Sequence, residues 1–318
     1  GAYTSERSTD TPTGTGYSLK LQVTTADTSI AAAQYSYILH EIEAQNLQSL
    51  QYGTSSAKTL TLSFWVKSNK TGTYTIVIVK RDSTAYFIPV EYTISSANTW
   101  EKKTITITPT AGSTSFITAS AAAIANDNGH GIQLGFGLAW GSNYHGTSNT
   151  WSASSHYGTS NQVNWMDSTD NNFYLAQVQL EIGDVATPFE HEDIGTTLAK
   201  CQRYYTIEKA GTGGEYKRLA LGQCQGSTSA GFIMSLSTPL RGTPTLVTSG
   251  NSNHYQTYSA GAVDTLTGIL LTSDSDAGTY NHNIAFNVTV SSGLVAGDAA
   301  SLVTNNNASY YLAFDAEL

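Results

Sequence analysis

Charged side chains are scarce: Asp, Glu, Lys and Arg make up 12% of the 318 residues, about half the usual share. Helical bundles and coiled coils coat their exposed faces with Lys and Glu, so both are excluded. Clusters of Lys and Arg are also missing, and 15 basic against 24 acidic residues leave a net charge of −9. That balance excludes nucleic acid, whose phosphates call for grouped cations. No apolar run approaches the ~18 residues of a membrane-crossing helix, so membrane insertion is not expected. There are only two cysteines, Cys201 and Cys224, in neither a CxxC nor a zinc spacing. They read as two buried thiols of a chain made in a reducing cytoplasm, with a disulfide as the alternative. The opening Gly1-Ala2, without Met, reads as a cut from a longer protein or a remnant of cloning.

What is abundant points one way. Ser and Thr number 80, beside 28 Gly and 19 Tyr, and 40% of the chain is apolar. β-Branched, aromatic and turn residues in that proportion build sheets, and the apolar fraction can bury a core. Leu60, Leu62, Phe64 and Val66 alternate on one face of a strand. Further strands are predicted over 73–80, 101–108, 132–138 and 174–182, with Ala176, Val178 and Leu180 on one face of the last. The glycines at 135 and 137 imply close approach by another backbone. A brief helical turn is predicted over 43–50, stopped by Gly53. Pro188 ends the strand region and Phe189 is expected to pin the exit to the core.

The segment from Ile194 changes character. Leu198, Cys201, Tyr204 and Tyr205 fall at helical spacing, with Gly195 or Thr196 as the cap. Alternation then resumes over 217–223, 231–237, 268–272, 283–290 and 308–316. The fold class is all-β: two antiparallel β-sandwich, jelly-roll-like domains joined by a short helical connector. The expected boundaries are 1–193, 194–207 and 208–318.

The acids, histidines and glycines carry no signature of catalysis. Glu41 with Glu43, Asp167 with Asp170, and Glu190 with Glu192 and Asp193 are the acid groupings, none in an aromatic cleft. The seven histidines make no HxH or HExxH spacing. Gly14-Thr15-Gly16 and Gly211-Thr212-Gly213-Gly214 read as turns, since no βαβ unit surrounds them. No catalytic residue, designed metal site or cofactor is expected; a structural calcium held by carboxylates and carbonyls is compatible with the composition.

The segment 140–165, WGSNYHGTSNTWSASSHYGTSNQVNW, gathers three Trp, two Tyr and two His among small polar residues. Flat rings stack on sugar C–H faces, and Asn, Ser and His hydrogen-bond hydroxyls. Trp140 and Trp165 are assigned to the core. Tyr144, Trp151, His156 and Tyr157 either contact a glycan or serve loop packing or a subunit contact. His254, Tyr255 and Tyr258, in 253–258, form a second candidate surface. Arg203, between aromatics, stacks, pairs with an acid or is solvated.

Several motifs together resemble phage virion proteins of the tail-fibre type. They are Arg7-Ser8-Thr9-Asp10-Thr11-Pro12-Thr13-Gly14, LTLSFWVKSNKTGTY over 60–74, Val178-Gln179-Leu180-Glu181-Ile182-Gly183, Ala186-Thr187-Pro188-Phe189-Glu190-His191 and Cys201-Gln202-Arg203-Tyr204-Tyr205. Pro239-Leu240-Arg241-Gly242-Thr243-Pro244-Thr245 and the final Tyr311-Leu312-Ala313-Phe314-Asp315-Ala316-Glu317-Leu318 extend the resemblance over nearly the whole chain. It implies a carbohydrate-binding-module-like jelly roll, a connector and a distal β-domain. It further implies a homotrimer in the virion, assembled in host cytoplasm, that contacts other virion proteins and recognises host-surface carbohydrate without catalysis. Two alternatives stay open: a head-decoration protein binding only virion proteins, and carbohydrate-binding modules cut from a glycan-degrading enzyme.

Overall fold

The computed structural model describes residues 1–14, 16–210, 215–272 and 282–317. The predicted turn at 211–214 and Thr15 lie outside them. The chain divides into two compact units, Gly1–His191 and Glu192–Leu318. Both are built almost entirely of antiparallel strands, so the protein is all-β. Among the described residues, no helix is long and apolar enough to cross a membrane.

The first unit has nine strands: β1 (Ala2–Ser8), β2 (Ser18–Thr25), β3 (Tyr35–Glu43), β4 (Leu60–Ser68), β5 (Gly72–Lys80), β6 (Tyr86–Ile94), β7 (Glu101–Ile107), β8 (His130–Trp140) and β9 (Asn172–Ile182). They form a five-stranded sheet, β1-β2-β9-β4-β7, and a four-stranded sheet, β3-β8-β5-β6. One hydrophobic core lies between inward faces of the two. Leu60, Leu62, Phe64 and Val66 all face it, as their alternation predicts. Phe64 meets Phe136 of the other sheet edge to face at 5.1 Å, an arrangement the ring quadrupole favours.

β9 departs from simple alternation. Gln177 sits at φ +49° and the pairing with β4 slips between Ser63 and Trp65, which marks a β-bulge. The extra residue flips the pleat, so Phe173 and Leu175 face the core before it and Val178 and Leu180 after it. The predicted grouping of Ala176 with Val178 and Leu180 fails for this reason. The helical turn is a 3-10 helix, Ala44–Leu50, ended by Gln51 in the left-handed region at φ +54°, two residues before Gly53. Phe189 does not reach the core either: it is half-buried against His191. The segment holding it folds along β9 instead, where Gln179 Oε1 accepts from the Glu190 amide at 2.8 Å and Glu181 accepts from the Thr187 amide at 3.1 Å.

The second unit opens with helix α1 (Ile194–Gln202). Its N-cap is Asp193, whose Oδ1 accepts from the amides of Gly195 and Thr196 at 2.8 and 3.3 Å; the two residues expected to cap are the ones being capped. Ser237 and Thr238 both donate to Gln202 at its end, fixing α1 to the rest of this unit. Nine strands come next: β10 (Tyr205–Lys209), β11 (Arg218–Cys224), β12 (Ser229–Ser235), β13 (Thr245–Thr248), β14 (Tyr255–Ser259), β15 (Ala262–Leu271), β16 (Asn283–Val290), β17 (Ala299–Thr304) and β18 (Tyr311–Asp315). Six of them close into a ring, β11-β12-β16-β15-β14-β17, and β10-β18-β13 make a small sheet. The hydrogen-bond ladder of the distal unit thus runs round a barrel where sequence alternation predicts two sheets face to face. The ring's interior is packed by Phe232, Phe286, Tyr255 and Leu302, among others. Of the two free thiols, Cys224 is buried as predicted, whereas Cys201 is exposed on α1.

Candidate functional site

In the four-stranded sheet, Ile38, Leu134, Phe136, Ile76, Ile78, Ile88 and Val90 point into the core. The alternate residues of each strand must face the other way. Pairing aligns them in rows: Tyr37 beside Gly137, Leu39 beside Gly135 and Val77, and Glu41 beside Gln133 and Val79, which in turn faces Phe87. The segment after β8 turns back over this face. It is stitched down by paired amide–carbonyl bonds between Phe87 and Ser152, both 2.9 Å, and by the Val163 amide to the Thr73 carbonyl at 2.9 Å. A second aromatic cluster forms beneath it, from Val77, Val79, Phe87 and Trp140 with Tyr37, Tyr144 and Tyr157.

Trp140 is the hub. Its ring stacks on Tyr157 at 5.4 Å and 28°, and lies 5.1 Å from Tyr37, 6.0 Å from Tyr144 and 6.1 Å from Tyr35. The indole Nε1 donates to Thr75 Oγ1 at 3.0 Å. Gly135 and Gly137 make room for side chains, not for backbone: a Cβ on Gly137 would sit 2.2 Å from Trp140 Nε1, and one on Gly135 would sit 2.8 Å from Val77 Cγ1 and 3.1 Å from the Tyr37 ring. Trp140 itself is 6% exposed, whereas Tyr35, on the edge strand β3, is 56% exposed. The result is an aromatic shelf with a buried support and an open lip.

Polar groups border the shelf. Glu41 accepts from Gln133 Nε2 at 2.8 Å and lies 3.2 Å from His130 Nδ1. Burial pushes the hydroxyls of Tyr37 and Tyr157 up, with neighbouring tyrosines and Glu41 adding to the effect and the Arg81 guanidinium opposing it. Two phenols, a carboxylate and a guanidinium therefore share one electrostatic neighbourhood, offering donors and acceptors around a flat apolar surface. Such a surface suits a sugar ring.

The sequence-derived residues separate here. Tyr144 and Tyr157 belong to the shelf; the Tyr144 hydroxyl also donates to the Ala33 carbonyl at 3.3 Å. His156 packs against Gly146 at the loop's turn. Trp151 is a correction: it is 1% exposed, lies in the main core and donates Nε1 to the Thr108 carbonyl at 2.9 Å. It presents no face to a ligand. Trp165 is core as predicted, while Trp140 is buried on the opposite face of its sheet. Tyr35, Tyr37 and Arg81 were missed, although Tyr35-Ser36-Tyr37 carries the alternation that places both rings on one side of a strand.

In the distal unit, Tyr255 is a second correction. It is wholly buried, with its hydroxyl donating to the Tyr311 carbonyl. His254 is half-buried, its Nδ1 2.8 Å from Ser249 Oγ. Tyr258 is exposed on the barrel wall, with Arg218 5.7 Å from its ring centre.

Each acid grouping has a structural partner. Glu43 is buried and accepts from Gln45 at 2.6 Å. Asp167 pairs with Lys70 at 2.5 Å and Glu192 with Lys200, and Asp193 caps α1. Among the described residues, no three His, Cys, Asp or Glu side chains gather where they could hold a metal ion.

No family model and no curated relative matches this sequence. Among solved structures, the chain is similar to one titled "Family 16 Carbohydrate Binding Module-2", with 10% identity over 52% of this chain and 76% of that one, at a TM-score of 0.23. It is also similar to the "Binding domain of Botulinum Neurotoxin DC in complex with SialylT", with 9% identity over 99% of this chain and 93% of that one, at 0.28. An agarase, AgWH50C, aligns at 8% identity over 91% of this chain and 45% of its own, at 0.27. Superpositions this loose carry no conclusion about ligand or activity.

Proposed function

We propose that this protein is a non-catalytic, carbohydrate-binding virion protein of the tail-fibre type, which recognises host-surface glycan on the outer face of the four-stranded sheet. One observation carries the reading. Tyr35, Tyr37, Tyr144 and Tyr157 surround a buried Trp140, and Glu41 and Arg81 lie within electrostatic reach of Tyr37 and Tyr157. The half-open rings supply stacking and the border supplies directional hydrogen bonds. Each site is shallow, so strength comes from several copies acting together, which a homotrimer provides. Leu221, Ile233 and Leu270, all exposed on the barrel wall, support association between copies or with other virion proteins.

A glycan array probed with the intact chain and with Tyr35→Ala tests the reading. Loss of an exposed stacking ring lowers affinity by about tenfold or more, with the melting temperature unchanged. Binding that survives Tyr35→Ala and Tyr157→Ala together removes the shelf as the site. Light scattering that returns the 33.9 kDa of a single chain at all concentrations removes the trimer.

A further inference from the structure

The wall of the distal barrel carries a separate groove. Strand pairing sets Arg218, Val303 and Gln256 in one row across β11, β17 and β14. Tyr258 and Val263 form the next row, across β14 and β15. With Tyr216 these residues line a cavity of about 490 Å³, within the range of small-molecule sites.

Three features of this groove point to a ligand. Arg218 is exposed in a chain of net charge −9, yet among the described residues no carboxylate pairs with it; the adjacent Lys217 takes Glu208 at 2.6 Å. The Tyr258 ring faces the Arg218 guanidinium, a cation–π contact that holds both in place. Gln256 is 6% exposed, and while its Nε2 donates to Asn305, its Oε1 has no donor. A buried acceptor without a donor is costly, and because Gln256 lines the groove, a ligand hydroxyl that draws its amide outward would supply the missing donor.

We propose that this groove binds a carboxylate-bearing sugar unit. The guanidinium fork matches the two oxygens of a planar carboxylate. The rings of Tyr216 and Tyr258 and the side chains of Val263 and Val303 accommodate the C–H face of a pyranose. Gln256 Oε1 accepts from a ring hydroxyl. Phosphate groups are usually met by several cations, and here Lys217 is already engaged, so one free guanidinium favours the monovalent carboxylate. The site is independent of the tyrosine shelf and of whether that shelf binds glycan.

Titration calorimetry on the full chain tests it, with methyl glucuronide and methyl glucoside as probes, since these differ only in the carboxylate. The glucuronide should bind saturably and the glucoside at least about tenfold more weakly, the worth of a charge-assisted hydrogen bond. Arg218→Gln should lose that preference, Arg218→Lys should retain part of it, and Tyr258→Ala should weaken both sugars. Both side chains are exposed, so melting should stay unchanged. Tyr35→Ala should leave glucuronide binding intact, which separates failure of this site from failure of the shelf. Equal affinity for the two sugars, no binding of the glucuronide, or full binding by Arg218→Gln overturns the proposal. So does displacement of the glucuronide by equimolar inorganic phosphate, which would mark a general anion site.

Discussion

Trp140 and Tyr157 stack at 5.4 Å with their planes 28° apart, and the same indole occupies the space above Gly137 and Gly158. One residue ends a strand and the other sits on the loop that returns over it. Their contact is therefore what sets the height of the loop above the sheet. Two glycines, one beneath the indole and one above it, allow an approach that any side chain would prevent.

Gly137→Ala tests that dependence. The new methyl would meet Trp140 Nε1 at 2.2 Å and Thr75 Oγ1 at 2.7 Å, so the indole must lift away from its hydrogen bond. Overpacking of this kind costs about 1–3 kcal/mol. Chemical denaturation should register the loss, and near-ultraviolet circular dichroism should show the tryptophan environment altered.

Trp151→Ala should destabilise the first unit by about 3–5 kcal/mol, the cost of emptying a buried tryptophan site. Trp151→Phe keeps most of the volume and loses the bond to the Thr108 carbonyl, so it should cost less. A melting temperature indifferent to Trp151→Ala would contradict the placement of this ring in the core.

Thiol titration should separate the cysteines. Cys201 is exposed and Cys224 is buried, with its Sγ 3.4 Å from Ser259 Oγ. A disulfide reagent should modify Cys201 rapidly in the native protein and reach Cys224 only after denaturant is added.

Acid should release the N-terminal segment through Asp10. Its carboxylate pairs with Lys67 and accepts from Trp100 Nε1 at 2.9 Å, and Lys67 also lies 4.3 Å from the Tyr174 ring centre. The bond to Lys67, then that to Trp100, hold the Asp10 carboxyl below the usual carboxylate range. A depressed acid stabilises the fold fully above its unfolded value, and that stabilisation fades as pH falls through the folded one. Asp10→Asn should flatten the fall in stability below about pH 4. An unchanged slope would show that the pair contributes nothing measurable.

Much of the strand pattern was legible because long core strands alternate. Leu60 to Val66 announced β4, and Asn283 to Val290 announced β16. The bulge at Gln177 could not be read, since nothing in the residue type demands φ > 0 there. β14 and β17 went unseen because Thr257, Ser259 and Thr304 are polar yet buried, while Val303, beside the outward Gln256, is apolar, which breaks the polar-out, apolar-in rule. At the shelf, a count of aromatics in one loop drew attention to Trp151. Burial reassigned it, for an indole belongs wherever a cavity of its size exists, and here that is the core beside Tyr52. Tyr35 and Tyr37 were hidden from such a count because they come from a distant strand, brought to the loop only by pairing with β8.

The closed ring of the distal unit has a bearing on how copies could associate. An open sheet offers its edge strand to any neighbour as a template, and a crowded bundle of β-rich chains risks being joined through backbone in the wrong register. The ring β11-β12-β16-β15-β14-β17 spends all of its edges on itself. Specificity on that surface is then a matter of side-chain shape and charge alone, so it can be rewritten by point substitution without disturbing the ladder beneath.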